Sequence, residues 1–379
     1  VSDDRSATNT TTANAALPKA GGTMTGNLAT AGISSVTAGS NNFVAGVNAG
    51  NSIVSGGDNN TLAGTNAGTA VTTGDFNTAL GSQALAQTNT SSQNTAIGGY
   101  AMYYNTTGSS NTAVGLQALL DNTTASNNTA IGVNALTNNT TGTQNTALGG
   151  SSLAANTTAN YNTGVGYNSL AANTIGTNNT AVGKSALQTA TTGDDNTAVG
   201  FEALLTQAAG YRNTAVGKNA LRLSTTASNN TAVGKDAGAV NTTGAQLAAF
   251  GTGALAANTT GANNTALGYQ AMDANTTGAA NVAVGSNALG GNTTGAYNTA
   301  NGFDALKSNT TGTENVAVGQ AALNTNTTAS NNTAVGAAAL YYNTTGARNT
   351  AVGKSVLVAN TTGVDNTAVG GIDAAAAAT

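Results

Sequence analysis

A unit of 17 residues begins eighteen times between Asn77 and Asn366 without a single insertion or deletion. Its consensus is N-T-A-V-G-x-x-A-L-x-x-N-T-T-G-x-x, and its residues are numbered below as positions 1 to 17. Because the units begin at a constant step, each unit is expected to adopt the same conformation in the fold. A fixed period of this kind predicts a solenoid, in which each unit is one coil that stacks on the next.

Short strands fit this unit better than a helix does. The V-G and N-T-T-G segments interrupt the chain once per unit, so no apolar pattern with a period of 3.6 residues persists. The Thr-Ala-Val segment before position 5 and the Ala-Leu segment before position 12 can each form a strand. We therefore predict an all-β fold, a parallel β-solenoid with two short strands per coil, each paired with the same strand of the next coil.

Two positions of the unit favour glycine, and they accept substitution differently. Position 5 is glycine in all eighteen units, from Gly81 to Gly370. This pattern predicts that position 5 needs a positive φ or leaves no room for a Cβ. Position 15 needs only a small residue in a turn, because five units carry alanine or serine there: Ser91, Ala125, Ala159, Ala227 and Ala329.

Each unit offers few large apolar residues for a core. Position 4 is Val, Ile or Leu and position 9 is Leu or Met in nearly every unit, so each coil would have a thin core. We infer that neighbouring chains supply further burial. The alanines that recur at positions 3 and 8, such as Ala79 and Ala84, would allow close approach between protomers.

The composition argues against several classes of protein. Only 6% of the 379 residues are charged, the net charge is -4, and no basic patch exists to bind nucleic acid. No stretch is long and apolar enough to span a membrane. Histidine and cysteine are both absent, so the usual nucleophile–base pairs are missing. We expect no enzyme activity, no cofactor and no metal site.

The chain divides into four segments. Residues 1–31 form a polar lead-in, residues 32–76 hold irregular β repeats, residues 77–371 are the regular array, and residues 372–379 are a C-terminal tail rich in alanine. The first residue is Val1 rather than methionine, which indicates a fragment or a processed product.

Two motifs resemble known surface fibres. Residues 17–28 read L-P-K-A-G-G-T-M-T-G-N-L, which resembles a motif that recurs in bacteriophage tail fibres just before their β-structured shafts. The N-T-A-V-G array is similar to arrays in phage fibre proteins. Segments such as Phe43-Val44-Ala45-Gly46 are similar to the head repeats of trimeric autotransporter adhesins. This resemblance implies a homotrimer of left-handed solenoids.

Three places break the array. The segment Leu247-Ala248-Ala249-Phe250 replaces N-T-A-V, and Gly238 replaces the leucine of position 9. We expect the Phe250 ring to fill the space that the missing leucine leaves. At Asn301 an asparagine stands where valine is expected, and a buried asparagine would need a hydrogen-bond partner.

The recurrent polar residues favour a structural role. Asparagines at positions 1 and 12 would line up in stacked coils as amide ladders. The N-x-T sequons such as Asn105-Thr106-Thr107 are expected to be bare in a phage or bacterial setting. Asp194 and Asp195 form the only tight carboxylate pair of the array, and solvated turn residues explain them better than a glycosidase site does.

All ten tyrosines lie at variable positions of the unit, which we expect to face outward. Exposed aromatic rings suit carbohydrate stacking or protein contacts. Alternatively, these rings cover the rim of a neighbouring coil or chain. The adjacent pairs are the best candidates for surface binding: Tyr103, Tyr104, Tyr341 and Tyr342.

The sequence therefore predicts the shaft of a bacteriophage tail fibre that mediates attachment to the host cell. Its partners would be further copies of itself, virion tail proteins, and a glycan or protein receptor on the host surface. The alternative is a trimeric adhesin on a bacterial cell surface. A third possibility is a rod that binds ice through its regular threonines, although the adjacent threonines of N-T-T-G are typical of a turn rather than of a flat strand face.

Overall fold

A computed structural model describes residues 33–34 and 38–371, and this part of the chain consists of strands and turns without a helix. The strands are β1 (Ile33–Ser34), β2 (Phe43–Ala45), β3 (Thr61–Ala63), β4 (Thr78–Leu80), β5 (Thr95–Ile97), β6 (Thr112–Val114), β7 (Thr129–Ile131), β8 (Thr146–Leu148), β9 (Thr163–Val165), β10 (Thr180–Val182), β11 (Thr197–Val199), β12 (Thr214–Val216), β13 (Thr231–Val233), β14 (Ala248–Phe250), β15 (Thr265–Leu267), β16 (Val282–Val284), β17 (Thr299–Asn301), β18 (Val316–Val318), β19 (Thr333–Val335), β20 (Thr350–Val352) and β21 (Thr367–Val369).

Strands β2 to β21 form one parallel ladder in which each strand pairs with the strand of the next coil. Equivalent residues face each other, as Thr180 faces Thr197 and Val182 faces Val199. The spacing between successive strands is 17 residues from β3 to β21. The parallel β-solenoid with a 17-residue coil is therefore confirmed.

The second strand predicted for each coil is wrong. Positions 6 to 11 form turns, with a positive φ at positions 7 and 9, as at Gln117 (57°) and Leu119 (54°). Adjacent side chains of a strand point to opposite faces, whereas Ala118 and Leu119 are both buried. The left-handed residues turn the chain so that both side chains enter the interior.

This turn segment still bonds to the coils on both sides. The Gln117 N–H donates to the Gly99 carbonyl of the preceding coil over 3.0 Å, and the Leu119 N–H donates to the Ala135 carbonyl of the following coil over 2.9 Å. Backbone groups are thus paired between coils without extended geometry, as buried backbone requires.

The apolar interior is built from positions 3, 8 and 9. Ala113, Ala118 and Leu119 have no exposed surface, and the equivalent residues of the other coils are buried in the same way. The prediction that the alanines bring protomers together is therefore wrong, because these side chains line the inside of a single chain.

Position 4 faces outward rather than into the coil. The strand residues alternate, so the buried alanine of position 3 lies between an outward threonine and an outward apolar residue. Leu80 and Leu267 at position 4 are 52% and 49% exposed. The interior of most coils thus holds two alanines and one leucine, and the expectation that position 4 adds to the core is wrong.

Two expectations about the irregular coils are also wrong. Phe250 is 38% exposed on the outward side of β14, whereas Leu247 at position 1 is buried, so the interior apolar residue added here is Leu247. Asn301 is exposed at the equivalent place in β17 and needs no buried partner within the chain.

The segment before the array joins the same stack. Thr61 faces Thr78 with the regular step of 17, whereas Phe43 faces Thr61 with a step of 18. Ser52-Ile53-Val54 forms no strand, although Ile53 is buried in the core. The motif of residues 17–28 and the tail of residues 372–379 lie outside the described residues, and the proposed segment boundaries remain a prediction.

The predicted difference between the two glycine positions is confirmed. From Gly81 to Gly353 the φ at position 5 lies between +127° and +147°. A Cβ would lie close to a carbonyl oxygen of the next coil at both positions, that of Gly166 for Gly149 and that of Ala159 for Gly142, so the difference between the two positions is one of φ. Position 15 does not require a positive φ, and its alanines Ala125 and Ala159 are accommodated in the stack.

Gly149→Ala should therefore destabilise the solenoid far more than Gly142→Ala. The first change forces a non-glycine residue into a positive-φ conformation that costs about 1–3 kcal/mol. The second places alanine between coils that already carry Ala125 and Ala159. Thermal unfolding followed by circular dichroism compares the two variants, and equal midpoints would contradict the assignment of position 5.

Candidate functional site

Two ladders of buried asparagine run along the inside of the stack. At position 1, the Asn111 backbone N–H donates to Asn94 Oδ1 over 3.0 Å. At position 12, Asn122 Nδ2 donates to Asn105 Oδ1 over 2.7 Å. The position-12 ladder is interrupted at Ala190, Gln207 and Ser224. The structural role predicted for these asparagines is confirmed.

The two ladders meet at the carbonyl of position 15. Asn111 Nδ2 and Asn122 Nδ2 both donate to the Ala125 carbonyl oxygen, over 2.9 and 3.0 Å. In coils that carry asparagine at both positions, one shared acceptor therefore ties the strand to the N-T-T-G turn. Asn105 is fully buried in this network, so the folded chain does not present that sequon amide to solvent.

Two further ladders use residues that the sequence analysis did not single out. At position 13, Thr106 Oγ1 donates to the Thr123 carbonyl over 2.9 Å. At position 16, a short polar side chain accepts from the backbone N–H of the preceding coil, as Ser109 Oγ accepts from Ser92 over 3.2 Å. The recurrence of serine, threonine, asparagine and aspartate at position 16 is the signal that predicts this role.

Asp194 belongs to this position-16 ladder rather than to a catalytic pair. Its Oδ1 accepts from the Thr177 N–H over 2.6 Å and from the Thr177 hydroxyl over 3.1 Å. Asp195 accepts from Asn178 Nδ2 over 3.2 Å and lies 3.9 Å from Arg212 Nε. Both carboxylates are exposed and each has its own partners, which favours the solvated turn over a glycosidase site.

The remaining charged groups are scattered over the surface. Arg348 holds Asp365 of the next coil through two hydrogen bonds of 2.6 and 2.9 Å, and this contact lowers the pKa of Asp365. Partial burial raises the pKa of Asp121 and of Asp273. Within the described ranges, no group of three or more aspartate or glutamate side chains is placed to hold a metal ion.

The structure brings the predicted tyrosine pairs together as ring contacts. The Tyr103 and Tyr104 rings meet edge to face with centroids 4.6 Å apart, and those of Tyr341 and Tyr342 lie 4.7 Å apart. In each pair the second ring is exposed, at 48% for Tyr104 and 55% for Tyr342, while the first is half-buried. The two pairs lie on the same side of the stack, at positions 10 and 11.

The pair at Tyr103 belongs to a larger aromatic patch. Tyr100, at position 7 of the same coil, places its ring 5.6 Å from that of Tyr103. The Tyr103 hydroxyl also lies 3.4 Å from Gln87 Nε2 of the preceding coil. Three rings and an amide thus form one surface with the apolar faces and hydrogen-bonding groups that a saccharide needs. Tyr100 is the member that the search for adjacent tyrosines missed.

A second aromatic group is flanked by cations. Lys184 Nζ and Lys218 Nζ, one coil below and one coil above Phe201, each lie 5.7 Å from the centre of its ring. Such distances are within the range of a cation–π contact. This group lies at position 6, beside the strands.

No protein-family model matches the chain, and no curated protein matches it either. Within the residues that the structure describes, no helix has the length and apolar character needed to span a membrane. The function is therefore inferred from the geometry of the coil and from the motifs of the sequence.

Asn122→Asp should make the stability of the solenoid depend on pH. Burial raises the pKa of the introduced carboxyl above its unfolded value of about 3.9, and the ionised form would face the Ala125 carbonyl oxygen. Because the folded pKa is raised, stability relative to the parent chain should be greatest at acid pH and fall as the pH rises through that pKa.

The measurement is the unfolding midpoint of this variant minus that of the parent chain between pH 3.5 and pH 7. Asn138→Asp at exposed position 11 is the matched control, and its difference from the parent should stay nearly constant. A flat profile for Asn122→Asp would contradict the buried ladder.

Proposed function

We propose that this chain is the shaft of a bacteriophage tail fibre, which mediates attachment to the host cell and belongs to the virion. The observation that carries the proposal is the uninterrupted stack from β3 to β21, in which no coil is longer or shorter than its neighbours. At about 4.8 Å per coil, nineteen coils make a rod of roughly 90 Å. A rod of this length can hold a distal tip away from the virion and transmit force along its axis.

The shaft would be a homotrimer of left-handed solenoids, as the resemblance to adhesin heads implies. The apolar side chains of position 4 support assembly, because a stripe of half-exposed Val, Ile and Leu is unusual on a protein that stays alone in solution. Virion tail proteins would hold one end of the shaft and a receptor-binding tip the other.

The tyrosine patches are the proposed contacts between the shaft and the host surface. Tyr100 and Tyr104 supply exposed ring faces, and half-buried Tyr103 lies between them with its hydroxyl group, which suits a glycan chain. Tyr341 and Tyr342 repeat the arrangement near the other end of the array.

A trimeric adhesin of a bacterial cell surface is the alternative function. It would use the same rod and the same aromatic patches, so the two proposals differ in what the chain is attached to. The gene decides between them: a virion-attachment domain upstream favours the fibre, whereas a signal peptide and a membrane anchor favour the adhesin.

One observation favours ice binding as a third candidate. The threonines of position 2 form a ladder on the outward side of the parallel sheet, where their spacing is set by the strand separation of about 4.8 Å. The objection that the adjacent threonines of N-T-T-G are typical of a turn does not apply to position 2, where each strand supplies one threonine beside an apolar position 4. Thermal hysteresis and inhibition of ice recrystallisation test the candidate.

The mass of the purified chain in solution and the shape of its particles test the fibre proposal. Light scattering should give about three chain masses, and negative-stain images should show straight rods of roughly 90 Å. A monodisperse monomer that delays ice growth would instead support the third candidate.

Tyr103→Ser together with Tyr104→Ser should weaken binding of the labelled chain to host cells or glycans by at least several-fold without changing the oligomer. The physical reason is the loss of one exposed ring, that of Tyr104, and one half-buried ring, that of Tyr103. Tyr297→Ser, which removes a ring that is 67% exposed on another side of the coil, is the control. Unchanged binding by the double variant would assign these rings to packing against a neighbouring coil or chain.

A further inference from the structure

The outward side of the strands carries a continuous surface without charge. We define the strand face as the side chains at positions 2 and 4 of β4 to β21. Position 2 is threonine in every one of these strands except three, which hold Ala248, Val282 and Val316. Position 4 is apolar in every strand except β17, where it is Asn301. The charged residues of the array all lie at positions 6, 7, 10, 11, 16 and 17.

The strand face is large enough for a stable contact between proteins. Its position-4 side chains are half-buried or exposed, and the exposed fraction reaches 52% for Leu80 and 73% for Val369 in the last strand. If each apolar side chain leaves about 40 Å² in solvent, the seventeen of them expose on the order of 700 Å². A standard interface buries about 800 Å² per partner. The threonine methyl groups supply further apolar area.

The period of this face identifies the partner. The apolar residues recur once per coil along the whole stack, because each strand pairs in register with the next. A compact protein could cover only a few coils of such a stripe. A second copy of this chain, aligned in parallel, has the same axial spacing and can match the stripe from one end to the other.

Asn301 makes one coil of the strand face different from all the others, because it is the only polar side chain at position 4. It lies between Val284 and Val318 in the adjacent strands. Those two strands are also the ones that carry valine at position 2, as Val282 and Val316. The one amide of the position-4 column is therefore surrounded by the most apolar part of the face.

We propose that copies of this chain pack through their strand faces, in parallel and in register, with Asn301 of each copy meeting Asn301 of its neighbours. A polar residue in an otherwise apolar seam disfavours every register that buries its amide against valine, as a single asparagine does in a coiled coil. This inference rests on the proposed function only in taking the shaft to be an assembly of identical chains.

The chain contains no cysteine, so a single introduced thiol reports on one position. Val216→Cys, on the strand face, should give a covalent two-chain product in most of the protein after mild oxidation. Thr226→Cys, in the same coil at exposed position 14, should give little. Equal cross-linking of both variants, or cross-linking of Thr226→Cys alone, would overturn the assignment of the face.

The role of Asn301 is tested by moving it one coil. A variant with Asn301→Val and Val284→Asn should still assemble with itself. When it is coexpressed with the parent chain, mixed oligomers should be several-fold rarer than random mixing gives, because their asparagines face valine. Native mass spectrometry with a mass tag on one partner counts the species.

Asn263→Ala with Ala280→Asn is the matched control. It moves an asparagine by one coil at position 17, away from the strand face, and should mix at random with the parent chain. Random mixing by the Asn301 variant as well would show that this residue does not set the register.

The outcomes separate this inference from the proposed function. Trimers that cross-link through position 14 rather than through Val216→Cys would leave the fibre standing and reject the strand face as the seam. Cross-linking through Val216→Cys in a chain that attaches to no cell or virion would support the seam and reject the fibre. A monomer in solution would reject both.

Discussion

The structure depends on hydrogen bonds between equivalent backbone groups of successive coils. The strand, the turn at positions 6 to 11 and the threonines of position 13 all bond to the neighbouring coils. Any insertion would shift every later residue of the coil away from its equivalents. This constraint explains why the eighteen units begin at a constant step of 17 residues. It also explains why the carbonyl of each position-5 glycine can lie against the glycine of the coil before it.

Hydrogen bonds between buried asparagines stabilise the interior together with the burial of apolar side chains. Each regular coil buries two alanines, one large apolar side chain and, at most levels, two asparagines that donate to one shared carbonyl. Buried amides are stable here because the adjacent coils supply their partners, which a single coil could not do. The largest apolar side chains of the strands remain outside, and this arrangement is the physical basis for the proposed assembly.

The period, the fold class, the strict glycine and the asparagine ladders could be predicted from the sequence, because each is a local rule repeated many times. The inward or outward direction of position 4 could not be predicted from hydrophobicity, since Val114 and Leu119 are equally apolar. The buried asparagine of position 1 contains the missing information. Strand residues alternate, so a buried position 1 puts position 3 inside and position 4 outside.

The turn at positions 6 to 11 is harder to predict, for a different reason. A leucine with positive φ is uncommon, and no residue of the A-L segment marks it as left-handed in the way that glycine marks position 5. The coil closes there because backbone bonds to both neighbours compensate for an unfavourable conformation. The conformation of this turn is therefore specified by the stack of coils and not by the sequence of one unit.

The most direct test of this account is the distance between spin labels at equivalent exposed positions. Labels on Thr141→Cys and Thr226→Cys lie five coils apart, and labels on Thr141→Cys and Thr311→Cys lie ten coils apart. With labelled chains diluted in unlabelled chains, pulsed electron paramagnetic resonance should give about 24 Å and about 48 Å. A longer distance that is not close to twice the shorter one would contradict the uniform stack.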